Sequence, residues 1–246
     1  MDHMLYIAAD GASQIQKAQA VNANNLANVS TTGFKAQFEA LRALPVYGPG
    51  YASRVHSQSE ISGVDQSSGA LMATGRSLDI AVNGTGWIAI QAPDGSEAYT
   101  RAGDLRVSQT GILETGTGRP VLGDGGPISV PDAQELEVAA DGTVSVLPTG
   151  QAPATLAVVG RIKLVNIDPG SLEKGEDGLL RRRGGASAEP DANVRIASGV
   201  LETSNVNTVE AMTTMIQLAR QFEAQVKLMK VAEETDAASA QLMSIG

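Results

Sequence analysis

Apolar residues follow two different rhythms along this chain, and each predicts a different element. Near the start, Leu5, Ala8, Ala12 and Ile15 recur at intervals of 3, 4 and 3, Gln19 and Asn22 interrupt the stripe, and Leu26 and Val29 resume it. That spacing predicts a helix over about residues 4–28 with one narrow apolar face. It ends in the turn-forming stretch Ser30-Thr31-Thr32-Gly33. Near the other end Met212, Met215, Ala219, Phe222, Val226 and Met229 alternate by 3 and 4 with no polar member, which is the a/d spacing of a coiled coil. Ile216, Leu218, Leu228 and Val231 widen this surface beyond a two-helix seam. A helix over residues 207–243 would be roughly 55 Å long, more than a small domain's own core can cover. Glu233 and Asp236 take over the stripe positions after about two heptads, so the coiled-coil pattern is supported only up to there.

Between the ends the period changes to 2. Short runs at 78–82 (LDIAV), 87–91 (WIAIQ), 105–109 (LRVSQ), 136–140 (LEVAA), 143–147 (TVSVL) and 160–167 (GRIKLVNI) read as strands. Pro93-Asp94-Gly95 and Asp141-Gly142 mark tight turns between them. All ten prolines, and every glycine except Gly11, Gly33 and Gly246, fall between residues 36 and 205. Because both residue types break helices, this confines helix to the two ends. The expected fold class is α+β: N- and C-terminal helices forming a coiled-coil-like helical domain, with a central all-β domain. The expected boundaries are 1–35 for the N-terminal helix, 36–75 for an extended linker, 76–200 for the β domain and 201–246 for the C-terminal helix.

Composition narrows the function classes. With 246 residues, 42% hydrophobic and 18% charged, the chain can bury a core and is not disordered as a whole. A formal charge of -9 repels a phosphate backbone, so no nucleic-acid partner is expected. No cysteine is present, which removes disulfides and thiolate zinc sites. No apolar run reaches the length of a membrane span. The opening MDHMLYIAADGASQIQ lacks the basic and apolar regions of a cleaved secretory signal.

The motifs that could carry chemistry all have plainer structural explanations. The GTG triplets at Gly84–Gly86 and Gly116–Gly118 are not followed by helical patterns, so they read as turns rather than phosphate cradles. There is no nucleotide-binding lysine motif and no nucleophile elbow. His3 and His56 have no carboxylate and serine pattern nearby and are expected to be solvated. Arg181-Arg182-Arg183, beside Gly184-Gly185, reads as an exposed loop. Met212, Met215 and Met229 fit helix packing better than a soft metal site. Asn28-Val29-Ser30 and Asn83-Gly84-Thr85 match the glycosylation sequon by three residues only. No catalytic residue, cofactor or metal is expected, and the chain is not expected to be an enzyme. The rival reading, a β-domain hydrolase or binding module with an incidental coiled coil, would need a pocket of clustered acidic or histidine side chains.

Three blocks carry a resemblance. Asn24-Asn25-Leu26-Ala27-Asn28-Val29-Ser30-Thr31-Thr32-Gly33-Phe34-Lys35 is similar to the N-terminal signature of flagellar rod and hook proteins. TGRSLDIAVNGTGWIAIQ at 74–91, YTRAGDLRVSQTGIL at 99–113 and GRPVLGDGGPI at 118–128 resemble the family's central block, and SGVLETSNVN at 198–207 resembles the third. The order is kept across nearly the whole chain. MDHMLYIA, FEALRALPV at 38–46 and RQFEAQVKLMK at 220–230 look most like the proximal-rod branch, with the distal-rod branch as the alternative. The resemblance implies a structural subunit of the basal-body rod in the periplasm, made in the cytoplasm and exported by the flagellar type III apparatus without a cleaved signal. Its implied partners are that apparatus and other rod subunits, including further copies of itself. The packing residues expected in such an assembly are Leu5, Ala8, Ala12, Ile15 and Leu26 with Met212, Met215, Ala219, Phe222, Val226 and Met229. Among the signature residues Asn24, Asn25, Leu26, Ala27, Asn28, Thr32, Gly33 and Phe34, the asparagine amides either bond across subunits or cap and terminate the helix.

Overall fold

A computed structural model describes residues 2–45, 55–148, 156–175 and 177–244. It divides into two compact units. The first takes in Met1–Ala27, Gln37–Ser62 and Asn207–Gly246, and the second Asn28–Ala36 and Gly63–Val206.

The first unit is built on two long helices, α1 (Asp2–Ala27) and α2 (Thr208–Ser244), within two residues of the expected bounds at each end. Their direction is fixed by two contacts. Asn22 Nδ2 donates to the carbonyl of Ala211 at 2.8 Å, and a Cβ added at Gly11 would lie 3.2 Å from the Gln225 side chain. Residue number rises along α1 as it falls along α2, so the pair is antiparallel. Asn207 starts α2 as an N-cap: its Oδ1 accepts from the amides of Val209 at 3.0 Å and Glu210 at 3.2 Å, which would otherwise lack partners. Glu210 adds a negative charge in the first turn, where the helix dipole favours it. Residues 36–75 were expected as an extended linker; instead Gln37–Pro45 and Val55–Val64 form a two-stranded sheet, and Leu71–Ala73 pairs with Val200–Glu202.

The second unit is built mainly of β-strands, with one short 3-10 helix at Pro169–Ser171. Its centre is an antiparallel five-stranded sheet in the order Leu164–Val165, Trp87–Gln91, Glu97–Thr100, Leu180–Arg182, Leu172–Lys174. The run WIAIQ has almost no polar residue because both faces of this sheet are covered. Ile88, Ile90, Ala98 and Leu164 point into one core, shared with Ile80, Leu105, Leu113, Val144 and Val146. Trp87, Ala89, Tyr99 and Val165 point into a second, with Ile167, Leu172 and Leu180. A three-stranded sheet (Ala133–Val138, Thr143–Pro148, Ala157–Arg161) covers the first core with Val144 and Val146, which are buried while Ser145 between them is not.

The strand expected over 160–167 is broken. Residues Ala157–Arg161 complete the three-stranded sheet, and Leu164–Val165 cross to the edge of the five-stranded one. The arginine run also differs from its expected loop. Arg181 lies in a strand, paired with Glu173 in register, and its guanidinium binds Asp177 at 2.7 Å. The glycine triplet at Gly84–Gly86 is a bend, and the Asp141-Gly142 pair forms a turn closed by Gly142 N–H to the Ala139 carbonyl at 2.9 Å.

Tyr99 is fully buried, and its hydroxyl accepts the Ala188 amide at 2.9 Å. Burial pushes its pKa from 10.0 up to about 12. A phenol whose folded pKa is raised contributes stability that is complete below its unfolded pKa and is lost as pH rises through the folded one. Wild-type protein should therefore lose stability relative to Tyr99→Phe between about pH 10 and about pH 12, by about 2–3 kcal/mol across the window. Urea unfolding followed by the single tryptophan, Trp87, reads this; a difference between the two proteins that stays constant with pH contradicts it.

Candidate assembly surface

Along α2 the residues turned toward α1 are Ala211, Met215, Leu218, Phe222, Gln225, Met229 and Ala232, at intervals of 4, 3, 4, 3, 4 and 3; the two alanines are buried and the rest half-buried. Opposite them α1 offers Ala8 and Ala12, both buried, and Gly11, Ile15, Ala18, Asn22 and Asn25, half-buried. Small residues on α1 let the helices approach. Gly11 is the clearest case, since the amide of Gln225 lies where a side chain would stand.

A second apolar stripe runs beside this seam and is open. Val209 is 71% exposed, Met212 50%, Ile216 56% and Val226 43%, with Ala219 also exposed. The six residues expected on one stripe of α2 are thus divided: Met215, Phe222 and Met229 lie on the covered seam, and Met212, Ala219 and Val226 on the open one. Pattern reading could not separate them. At 211/212, 218/219 and 225/226 two adjacent residues compete, and at 225 the seam takes a glutamine that hydrophobicity alone would never select. On α1, Ala8, Ala12, Ile15 and Leu26 are covered wholly or in part, while Leu5 is exposed.

The signature asparagines bond inside the chain. Asn25 clasps the backbone of Gln37, Nδ2 donating to its carbonyl at 3.1 Å and Oδ1 accepting its amide at 2.9 Å. Asn28 closes the turn after α1, its carbonyl accepting the Thr31 amide at 3.1 Å and its Oδ1 the Thr31 hydroxyl at 3.1 Å. Asn24 and Ala27 are exposed, Thr32 and Phe34 half-buried, and Gly33 buried.

Gly33 and Phe34 lead to the feature that sequence reasoning missed. Glu202 is 1% exposed and carries two cations. Lys35 Nζ lies 2.6 Å from its Oε1, and Arg101 NH1 lies 3.0 Å from its Oε2. The Gly69 amide donates to Oε1 at 2.9 Å, Lys35 also donates to the Ser67 carbonyl at 2.8 Å, and Arg101 to the Gly84 carbonyl at 2.7 Å. Arg101 further stands 5.2 Å from the centre of the Trp87 ring. Burial pushes the Lys35 ammonium below its ordinary value, against the opposing pull of Glu202. No spacing rule links residues 35, 101 and 202, so nothing local in the sequence announces the cluster.

A cleft of about 490 Å³ is lined by Glu97, Leu122, Asp124, Lys163 and Pro190, and its lysine and Glu97 neutralise each other at 2.8 Å. Among the described residues no three histidine, aspartate or glutamate side chains gather as a metal site, and no helix is long and apolar enough to cross a membrane. The side chains of His3 and His56 lie outside the described set.

Two substitutions test the ion network. Glu202→Gln keeps the shape but leaves Lys35 and Arg101 buried without an anion, and should cost about 3–5 kcal/mol in the urea unfolding of the second unit. A cost under about 1 kcal/mol, the range of an exposed pair, contradicts that assignment. Gly33→Ala should be worse than Gly75→Ala. Both glycines have positive φ, 65° and 75°, but a Cβ at Gly33 would fall 2.2 Å from the Arg101 backbone carbon while Gly75 faces open space. Gly75→Ala is expected to cost about 1–2 kcal/mol, and Gly33→Ala to prevent the second unit from folding; equal melting temperatures would contradict the packing.

Comparison with known proteins places these features in one family. Residues 5–35 match the family described as flagella basal body rod protein, residues 81–146 the flagellar hook protein FlgE/F/G D1 domain, and residues 197–242 the flagellar basal body rod FlgEFG protein C-terminal region. The flagellar basal-body rod protein FlgF of Salmonella typhimurium is 47% identical over 251 aligned positions, covering 100% of both chains, and that of Escherichia coli is 44% identical with the same coverage. The flagellar basal-body rod protein FlgG of Bacillus subtilis is 32% identical, with 94% of this chain and 95% of that one covered. Lys35 and Glu202 lie within the N- and C-terminal matched segments, Arg101 within the central one, and the chain belongs to the flagellar basal-body rod protein family.

Proposed function

We propose that this chain is a structural, non-enzymatic subunit of the flagellar basal-body rod, of the FlgF or proximal-rod type, which assembles through its terminal helices. The observation that carries the assembly reading is the open stripe on α2. After α1 has covered one seam, Val209, Met212, Ile216, Ala219 and Val226 still present apolar surface at helical spacing, which gains most by packing against further helices. Packing of the coiled-coil type in the assembled rod fits the 3 and 4 spacing of both stripes. The partners are other rod subunits and further copies of this chain, and the route is type III export without a cleaved signal into a rod that crosses the periplasm. Full-length identity of 47% and 44% to FlgF proteins, against 32% to a FlgG protein, favours the proximal type; a distal, FlgG-like subunit is the alternative.

The test compares three variants by swimming and by purification of basal bodies. Ile216→Asp places a charge on the open stripe and should abolish incorporation into the rod while the soluble subunit keeps wild-type helicity and melting. Phe222→Asp should also abolish it, but should lower helicity as well, because a half-buried phenylalanine on the seam is lost at a cost of about 1.5–3 kcal/mol. Glu223→Ala, exposed between the two sets, should swim normally. Normal swimming by Ile216→Asp contradicts the assembly face.

A further inference from the structure

Gly33–Ala36, in the N-terminal stretch of the second unit, and Glu202–Asn205, close to its C-terminal boundary, are fastened to each other. The Gly33 amide donates to the Glu202 carbonyl at 2.8 Å, and the Asn205 amide to the Phe34 carbonyl at 3.4 Å. Asn205 Oδ1 accepts the Ala36 amide at 2.8 Å, and Lys35 Nζ meets Glu202 Oε1 at 2.6 Å. Residue numbers rise together in both segments, 33 beside 202 and then 34 and 36 beside 205, so the segments run in the same direction. A third strand of chain is tied in. Asn205 Nδ2 donates to the carbonyls of Asp65 and Ser67, both at 3.1 Å, the Gly69 amide donates to Glu202 Oε1, and Arg101 holds Oε2 from the other side.

Direction decides how such a junction meets force. Two neighbouring segments that run the same way leave the unit at opposite ends. Tension applied through the residues before 33 and after 205 then slides one segment along the other and loads every bond between them at once. Antiparallel segments would open one bond at a time. The bonds loaded here include one charge-assisted pair, Lys35 to Glu202, that is buried from water, where competition by solvent is weakest, and Arg101 anchors the same carboxylate to the rest of the unit.

We propose that Glu202, Lys35, Arg101 and Asn205 form a mechanical clamp that closes the second unit against tension along the chain. The clamp is a property of this unit and stands whether or not the helices assemble as argued above. Its purpose in the fold is to let force pass between the entering and leaving segments without reaching the sheets behind them. The antiparallel helices are the contrasting element, because tension on their far ends separates α1 from α2 one turn after another.

Single-molecule pulling of the full chain from handles at its two termini tests this. Wild-type traces should show an early low-force extension from the helices, then one high-force rupture that releases a contour on the order of 55 nm for residues between 36 and 203. Glu202→Gln should roughly halve that rupture force, since charge-assisted bonds are about twice as strong as neutral ones. Asn205→Ala, which removes the amide ties without burying a charge, should lower the force as well and decides the matter if Glu202→Gln does not fold. Val146→Ala, in the buried core of the three-stranded sheet, is the control: it should lower the melting temperature and leave the rupture force unchanged. A rupture force that simply follows melting temperature across the three variants overturns the clamp, as does wild-type force in Asn205→Ala.

Discussion

The buried carboxylate of Glu202 organises the junction at the ends of the second unit. Glu202 satisfies its two oxygens with Lys35, Arg101 and the Gly69 amide, and these partners come from three separate stretches of chain. Once a carboxylate is buried, its partners are no longer optional, because an unpaired charge in that position costs more than the pair itself contributes. The neighbouring glycines follow from the same constraint. A Cβ at Gly33 would strike the Arg101 backbone at 2.2 Å, and one at Gly69 would strike the Thr203 carbonyl oxygen at 1.9 Å. The backbones must come this close for the lysine, arginine and glutamate to meet.

The remainder of the second unit hangs from that junction in two layers of hydrophobic contact. The five-stranded sheet is apolar on both faces, and consecutive residues such as Trp87 and Ile88 serve different cores. Arg101 links the ion network to this sheet directly, standing over Trp87 while holding Glu202. The helical unit works by a simpler rule. Two amphipathic helices cover one seam between them, and α2 has a further apolar stripe that α1 does not reach. The first unit thus leaves an apolar stripe uncovered, while the second buries most of its apolar strand residues in two cores of its own.

The sequence displayed those parts of this plan that depend on local periodicity. Both helices, the strand Trp87–Gln91 and the tight turns at Pro93-Asp94-Gly95 and Asp141-Gly142 could be read from spacing and turn chemistry within a window of a few residues. What pattern reading lost was the pairing of remote, very short strands. Leu71–Ala73 with Val200–Glu202, and Ile80–Asn83 with Arg195–Ser198, join segments more than a hundred residues apart; of these only the strand at 78–82 was legible, and three or four residues at the other three carry too little periodicity to declare themselves. The buried ion network was hidden for the same reason: lysine, arginine and glutamate in a sequence suggest solvent, and only tertiary structure brings 35, 101 and 202 together. On α2 the apolar pattern itself misled, because the seam accepted Gln225 against Gly11 and passed over the adjacent Val226. The signature asparagines were legible as important, and Asn25 turned out to serve the backbone of Gln37.

If the Glu202 junction governs the second unit, the amides it holds can exchange with solvent only when the whole unit opens. Native-state hydrogen exchange on the full chain measures this residue by residue. The account predicts that the amides of Gly33 and Gly69 are protected to the same free energy as those of Ile80 and Ala89 in the core strands. Exchange of Gly33 and Gly69 by local opening, well below the global value while the core strands stay protected, would contradict it.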